Sequence, residues 1–222
     1  MKNIFLLIVL SVTIASNAQT LNWAGIKKEQ KQILSFKSSA EYGLNYGIGY
    51  GYKLKSKLPI ILHAEYSFPS GNDLIDDFKT KVGGQVLFFK TGNFYFSSGI
   101  DGMFRRYQNN YARLLNFGGD FYGAIGYYKP KWFIATDFGF DKAIITHFKH
   151  SEAYKQNFPG VQDGWYEPSA GGNFHYGLQG GYSAKKFDVY LKAGKLTEQD
   201  FKTDPMLPVY AEIGVNFKFG RK

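Results

Sequence analysis

Apolar and polar residues alternate along most of this chain with a period of two, which is the pattern of a β-strand with two different faces. In the stretch 42–54, tyrosine, leucine and isoleucine occupy the even positions, and glycine, asparagine and lysine occupy the odd ones. The same pattern predicts eight further strands. They fall near 60–68, 81–90, 94–105, 116–127, 132–141, 173–183, 187–193 and 209–219.

The length of these strands and the composition of their faces favour a membrane protein. The predicted strands run to about 10–14 residues, whereas strands of globular proteins usually have about 5–6. One face is apolar with aromatic residues at its ends, and the other is rich in glycine and carries carboxylates. A soluble periplasmic β-protein also alternates and is the alternative. We expect an all-β fold, a transmembrane antiparallel up-and-down β-barrel, because a closed sheet satisfies its own backbone hydrogen bonds in lipid.

The lengths of the connections predict the topology and the number of strands. Bacterial barrels place short turns in the periplasm and long loops outside. The strand at 42–54 then starts outside, so that 30–38 must cross the membrane before it, with a tight hairpin at 39–41. The count becomes ten, with eight as the alternative. The short connections lie near 55–58, 91–93, 129–131 and 184–186, the long ones at 70–78, 149–172 and 197–207, and a moderate one near 108–111.

The first residues have the pattern of a secretory signal. Lys2 supplies a positive charge, 4–14 is apolar, and Ser16 and Ala18 are the small residues of a cleavage site. An apolar run of about 11 residues is too short to span a hydrocarbon core of about 30 Å, which disfavours a membrane anchor. We therefore expect a signal peptide over 1–18, a periplasmic N-terminal segment over 19–29 and the barrel over 30–222.

Composition removes several classes of function. The chain of 222 residues has no cysteine, which excludes disulfides, thiolate metal sites and cysteine nucleophiles. Aromatic residues make up 18% and glycine contributes 26 residues, a combination that excludes disorder and a helical bundle. The net charge of +9 comes from lysines scattered over the predicted turns. Contact of these lysines with anionic headgroups at the inner interface explains them more simply than nucleic-acid binding.

The segment Val209–Gly220, VYAEIGVNFKFG, closes the chain with alternating apolar residues. Together with the signal peptide, the alternating strands and the tight turns, it resembles the small outer-membrane β-barrel proteins of Gram-negative bacteria. The resemblance implies residence in the outer membrane among its lipids. It also implies that Phe217 and Phe219 form the insertion signal read by the barrel-assembly machinery, although this chain continues through residues 220–222 where the family often ends on phenylalanine.

The polar faces of the predicted strands carry the residues with the most chemistry. Charges in a narrow, low-dielectric lumen must pair with one another or meet water. Since a ten-stranded barrel is mostly filled by side chains, we expect a polar network that largely plugs the lumen. A small pore for ions or small solutes is the alternative. The network is predicted from His63, Glu65, Asp101, Arg105, Asp120, Asp137, Asp141, His175, Asp188, Lys192 and Glu212.

The longest loop, 149–172, offers the candidates for partner binding. Its aromatic residues would contact another envelope protein or fold over the barrel mouth. The same rim holds histidine, serine and glutamate residues, but side chains of adjacent residues diverge, and no motif of known outer-membrane hydrolases is present. We expect a non-enzymatic envelope component without cofactor or metal. The loop aromatics are Tyr154, Phe158, Trp165 and Tyr166, and the rim residues are His147, His150, Ser151 and Glu152.

Overall fold

The computed structural model describes residues 19–40, 43–71, 76–168, 172–200, 205 and 207–220, so the predicted signal peptide lies outside the described residues. A 3₁₀ turn at Trp23–Gly25 precedes the first strand, and one short helix, α1 (Glu152–Asn157), lies in the longest loop. The strands are β1 (Gln32–Ala40), β2 (Leu44–Lys53), β3 (Ile60–Pro69), β4 (Asp77–Thr91), β5 (Phe94–Gln108), β6 (Ala112–Lys129), β7 (Trp132–His150), β8 (Gly164–Tyr166), β9 (Gly172–Ser183), β10 (Phe187–Glu198) and β11 (Val209–Phe219).

Ten of these strands form a closed antiparallel barrel. Consecutive strands pair around the ring from β1 to β7, followed by β9, β10 and β11. β1 closes the ring because Gln32 lies opposite Tyr52 of β2 on one side and Phe219 of β11 on the other. β8 stands outside the ring and pairs only with the end of β7. The structure therefore confirms ten strands and not eight, including the crossing by β1 that the topology required.

The barrel wall is much taller on one side than on the other. β4 to β7 have 15 to 19 residues, whereas the other barrel strands have 9 to 12. About ten residues of a strand tilted by about 40° cover an apolar belt of about 25 Å. Such a belt reaches from Tyr127 to Phe117 along β6, so the remaining residues of β4 to β7 rise above it. The predicted strands at 81–90, 116–127 and 132–141 were too short for this reason.

The exterior of the barrel is a continuous apolar surface. Val82 and Ile100 are each 66% exposed, and Leu178 and Leu191 are each 59% exposed. A monomeric soluble protein rarely exposes so large an apolar surface. Lipid is therefore the solvent of this face, and it explains why large apolar residues point away from the interior. No helix within the described part of the chain is long and apolar enough to cross a membrane.

Two β-bulges account for breaks in the alternation. The register of β4 against β5 shifts between Leu87 and Phe89, so Leu87 points inward while Phe88 and Phe89 are both exposed. The run of apolar residues that blurred the pattern at 81–90 is this bulge. A second shift lies where β6 passes Phe117 and Gly118.

Several boundaries differ from those predicted. Ser39 and Ala40 still belong to β1, so positions 39 and 40, predicted as part of the hairpin, lie in the strand. The long loop starts after His150, and it contains α1 and β8, neither of which was predicted. α1 begins where the Ser151 hydroxyl accepts a hydrogen bond from the amide of Tyr154 at 3.2 Å, a helix N-cap. β4 likewise begins at Asp77, within the predicted loop 70–78.

The barrel interior as candidate functional site

The chain that precedes β1 fills the end of the barrel where the short turns lie. Leu21 is 2% exposed and Trp23 is 8% exposed, because both pack into an apolar cluster inside the barrel. The rule that short turns lie in the periplasm predicts that this end of the barrel faces the periplasm. The prediction placed 19–29 in the periplasm, and no pattern in the sequence indicated entry into the lumen. The cluster is completed by Ile33, Ile61, Leu87, Tyr95, Tyr128, Phe133, Ala135 and Tyr190.

Hydrogen bonds tie this segment to several strands. Gln19 Nε2 donates to Ser35 of β1 at 2.7 Å, and the Thr20 hydroxyl donates to Gln179 of β9 at 2.9 Å. Asn22 Nδ2 donates to Ser183 Oγ at 2.7 Å. Asn22 Nδ2 also donates to the carbonyl oxygen of Lys129 in β6 at 2.9 Å, and β6 lies across the ring from β1, so the segment bridges the barrel wall from within. We call residues 19–26 the N-terminal plug.

Above the plug, Lys37 joins two carboxylates across the lumen. Its Nζ lies 2.7 Å from Glu65 of β3 and 3.4 Å from Glu212 of β11. The Tyr190 hydroxyl donates to the other oxygen of Glu212 at 3.0 Å. One lysine therefore pairs with two acidic groups, one on the neighbouring strand β11 and one on β3 two strands away, so that each buried carboxylate has a cationic partner.

A second cluster lies on the inner face of β3 to β6, next to and partly on the taller side of the barrel formed by β4 to β7. His63 Nε2 lies 2.9 Å from Asp101 Oδ1, and the Tyr122 hydroxyl lies 3.4 Å from the same oxygen. Lys81 Nζ is 3.4 Å from Asp120 Oδ2. All of these side chains come from β3 to β6, because inward positions alternate along each strand and the register aligns them.

A third cluster centres on Asp137 of β7. Its Oδ2 atom lies 2.9 Å from Lys192 Nζ and accepts a hydrogen bond from the Tyr210 hydroxyl at 2.9 Å. His175 links it to the second cluster, since Nδ1 lies 3.8 Å from Asp137 and Nε2 lies 3.8 Å from Asp120. His175 thus connects the third cluster to Asp120 and Lys81 of the second, and the connected side chains come from β4, β6, β7, β9, β10 and β11.

The remaining predicted lumen residues lie above and below these clusters. Asp188 pairs with Lys218 at 2.6 Å near the plug. Arg105 pairs with Asp77 at 3.0 Å near the outer mouth. Asp141 is fully buried and lies opposite Asp120 in the strand register. All eleven predicted residues therefore face the interior.

Sequence reasoning missed several members of this network. They occupy inward positions of their strands, so the alternation that placed the predicted residues inside could have placed these residues there as well. Only Arg105 and Lys192 among the cations, and none of the tyrosines, were included in the predicted network. Lys37 lay in the weakest predicted strand, and Lys81 lay where the bulge blurred the pattern. The missed residues are Lys37, Lys81, Lys218, Tyr122, Tyr190 and Tyr210.

Glycines provide the space that these large interior side chains occupy. A Cβ atom on Gly99 would lie 2.4 Å from the ring of Tyr122, its partner in the register. Gly214 has the same relation to Tyr190. The glycine-rich polar faces that the sequence shows are thus explained by packing, because each ring lies over the backbone of the strand beside it.

The outer loop is held by its own contacts. His150 Nδ1 lies 2.9 Å from Asp163, whose carboxylate also accepts from the His150 amide and pairs with Lys155 at 2.8 Å. The His150 amide, followed by the side chains of Lys155 and His150, holds the pKa of Asp163 well below its usual range. The bond with Asp163 in turn raises the pKa of Lys155. Ser151 caps α1, so both His150 and Ser151 stabilise the local structure of the outer loop.

The four loop aromatics take two different positions. Tyr154 stacks on His150 with ring centroids 5.3 Å apart and also contacts Phe158 at 4.8 Å. Trp165 lies against Phe117 on the outside of the barrel at 6.0 Å, and Tyr166 contacts Phe148. Phe158, Trp165 and Tyr166 stay 43–55% exposed. His147 packs on Trp165, and no group of three potential metal ligands occurs among the residues that the structure describes.

A closed ten-stranded barrel with an apolar exterior and a charged interior defines an integral outer-membrane β-barrel protein. Phe217 and Phe219 lie exposed on the outside of β11, at the seam with β1. Comparison with protein-family models and with curated protein sequences gives no match.

Among solved structures, the barrel is similar to KdgM porin, at 10% identity. The KdgM porin in complex with disordered oligogalacturonate has a TM-score of 0.44 over 84% of this chain and 99% of that one. A second KdgM porin structure has a TM-score of 0.43 over the same shares of both chains. OprD of Pseudomonas aeruginosa is also 10% identical, with a TM-score of 0.18 over 87% of this chain and 65% of that one.

Proposed function

We propose that this protein is a non-enzymatic structural or accessory component of the outer membrane whose lumen is closed to solutes. The burial of the interior charges supports this proposal most directly. Lys81, Asp101, Asp120, Lys192 and Glu212 are each only 1–2% exposed, although they lie in the middle of the barrel. A pathway for hydrated ions would leave the charged groups that line it accessible to water.

The N-terminal plug supports the same proposal from the periplasmic end. Thr20 and Asn22 are 1% and 0% exposed, and their polar atoms bond to the wall and not to solvent. A solute would have to displace both this segment and the charged clusters above it. Two successive obstacles of different chemistry favour a closed barrel.

A small pore for ions or small solutes is the second candidate. Polar groups in the lumen favour it, because Asp101 Oδ2 and Gln85 Oε1 have no hydrogen-bond partner among the described residues. Buried polar groups without a protein partner favour contact with water, so hydration of the interior would lower the cost of opening.

Conductance in a planar bilayer separates the two candidates. We expect the purified, inserted protein to be electrically silent, with resistance to added protease as the control for insertion. Steady openings would overturn the closed-lumen proposal. A pore would also require the conductance to change in Asp101→Asn, Asp137→Asn or Arg105→Gln, and to stay unchanged in the matched variant Lys186→Gln at an exposed periplasmic turn.

The outer loop and the last strand carry the proposed partner contacts. We expect Phe158 and Tyr166, which are 53% and 43% exposed, to contact another envelope protein. A photo-crosslinking residue at Phe158 should give a discrete adduct in intact cells that is absent when the residue stands at Leu58 of a periplasmic turn.

For biogenesis, Phe217→Ala with Phe219→Ala should slow insertion by the barrel-assembly machinery. Equal adducts at Phe158 and Leu58, or unchanged insertion, would contradict these assignments.

A further inference from the structure

A groove runs across the outside of the tall wall near the outer edge of the apolar belt. Its floor is formed at Gly102, where the missing side chain leaves a gap between Val82 and Phe104. Phe117 and Ile144 form the other side, and the bulge in β7 turns Ile144 outward, so that it is 60% exposed. The lining is apolar and faces lipid, so an acyl chain is the ligand that this groove suits.

Three cations lie on the same outward face directly above the groove. Arg113 lies opposite Lys149 on one neighbouring strand and opposite Gln108 on the other. Arg106 is two residues from Gln108, which places it diagonally from Arg113. Directly opposite side chains have Cβ atoms about 4.5–5.5 Å apart, and like charges at that separation destabilise a sheet, while diagonal side chains about 7–8 Å apart are still within reach of one another.

The positive charge of this cluster is only partly neutralised. Arg106 pairs with Asp76 at 3.1 Å. Arg113 Nε is buried without a hydrogen bond, and neither Arg113 nor Lys149 forms an ion pair within the described parts of the chain. Within the residues that the structure describes, two positive charges therefore face each other without an ion-pair partner, and an anionic ligand would relieve their repulsion.

The height of the cluster matches the headgroups of the outer leaflet. Arg113 lies four residues beyond Phe117 along β6, or about 10 Å higher on a strand tilted by about 40°. The hydrocarbon core of about 30 Å is flanked by headgroup regions of several Å, and long basic side chains reach back toward them. Trp165 packs on Phe117, and its ring centroid lies 4.9 Å from that of His147. Aromatic residues of this kind are enriched at the membrane–water interface, so Trp165 is consistent with an interface at this height.

We propose that the cluster and the groove together bind one phosphate-bearing lipid of the outer leaflet. Arg113 and Lys149 hold its phosphate, Arg106 flanks the phosphate, and one acyl chain lies in the groove over Gly102. The charge of the cluster and the apolar lining below it match the two halves of such a lipid. This site lies on the outer wall and is independent of whether the lumen conducts.

Native mass spectrometry of the purified protein tests the proposal, with bisphosphorylated lipid A titrated into the detergent as the probe. We expect one lipid to be retained, and Arg113→Gln with Lys149→Gln to weaken retention by at least about tenfold for each positive charge removed. Gly102→Leu should also weaken it, because the nearest atom to a Cβ there is 3.8 Å away and the side chain would fill the groove without a clash.

Matched variants elsewhere on the barrel serve as controls. Lys55→Gln with Lys57→Gln removes the same charge at a periplasmic turn, and Ala193→Leu adds the same side chain to the lipid face of β10. Retention that falls equally in these controls, or that is unchanged in the Arg113 and Lys149 variant, would overturn the proposal. Displacement of the lipid by inorganic phosphate alone would assign the cluster to free phosphate, and unchanged retention in Gly102→Leu would exclude the groove.

Discussion

Replacement of Lys192 by methionine is the most direct test of the charge network in the barrel. The substitution keeps the length and most of the volume of the side chain but removes its charge. Asp137, which is 4% exposed, then loses the ion pair at 2.9 Å and keeps the hydrogen bond from Tyr210. The change therefore leaves a buried carboxylate without its lysine, with the hydrogen bond from Tyr210 and the contact of His175 at 3.8 Å as its remaining partners.

The expected cost follows from the distance and the burial. Two unit charges 2.9 Å apart attract by about 6 kcal/mol at an effective dielectric constant of about 20. Part of this attraction offsets the loss of hydration when both groups are buried. Removal of one partner of a buried pair typically costs about 3–5 kcal/mol. We expect the free energy of unfolding of Lys192→Met to fall by at least about 3 kcal/mol.

Urea-induced unfolding in lipid vesicles, followed by tryptophan fluorescence, measures this loss. The double variant Lys192→Met with Asp137→Asn should recover about half of it or more, because the unpaired charge is then gone. Lys186→Met, at an exposed turn, is the matched control and should change stability by less than about 0.5 kcal/mol. Recovery in the double variant would separate the charge effect from a packing defect.

Two results would refute this reasoning. A loss below about 1 kcal/mol in Lys192→Met is the value of a solvated ion pair, and it would mean that water reaches Asp137. A double variant no more stable than the single one would mean that charge is not the cause. Either result would also weaken the proposal of a closed lumen, because that proposal depends on the burial of these groups.

Three further outcomes are expected. Gly99→Val should destabilise the barrel by about 2–3 kcal/mol in the same assay, because its Cβ would lie 2.4 Å from the Tyr122 ring, and Tyr122→Ala should relieve part of the loss. Trp23→Ala should leave the barrel folded but raise hydrogen exchange in residues 19–26, since the buried indole anchors the plug. Because the pKa of Asp163 is lowered in the folded loop, its carboxylate stabilises the loop fully at a pH above the usual aspartate pKa of about 3.9. This stabilisation is lost as the pH falls through the lowered pKa. Protection of the His150 amide from hydrogen exchange should therefore persist at about pH 5 and disappear only in stronger acid.

The apolar alternation, together with the lengths of the connections, was sufficient to predict the ten-stranded barrel. It is a local property, since successive side chains of a strand point to opposite faces whatever the partner strand is. The alternation was weak in β1, and it failed where a bulge interrupted it, as at Leu87 and Phe89, and where strands rose above the membrane. In those upper parts the outward face lies above the hydrocarbon core, so it carries residues such as Arg106 and Lys149 and lacks the pattern of a strand that faces acyl chains.

The residues that face the interior could also be predicted from the sequence, but the ion pairs that they form could not. The inward position of Glu212 follows from the alternation of β11. Its contact with Lys37, 175 residues earlier, depends on closure of the ring between β1 and β11. Which cation meets which carboxylate is set by the register of neighbouring strands, and a pattern of period two in one strand carries no information about register.

The sequence by itself determined which face of each strand meets lipid and, through the lengths of the connections and the parity of crossings, favoured ten strands over eight. The tertiary structure alone decided that residues 19–26 enter the lumen and that Gly102 and the bulge at Ile144 leave a groove beneath Arg113 and Lys149. The physical reason is the range of the interactions. Face selection acts within a few residues of the chain, whereas plugs, grooves and charge clusters arise only when distant strands are brought side by side.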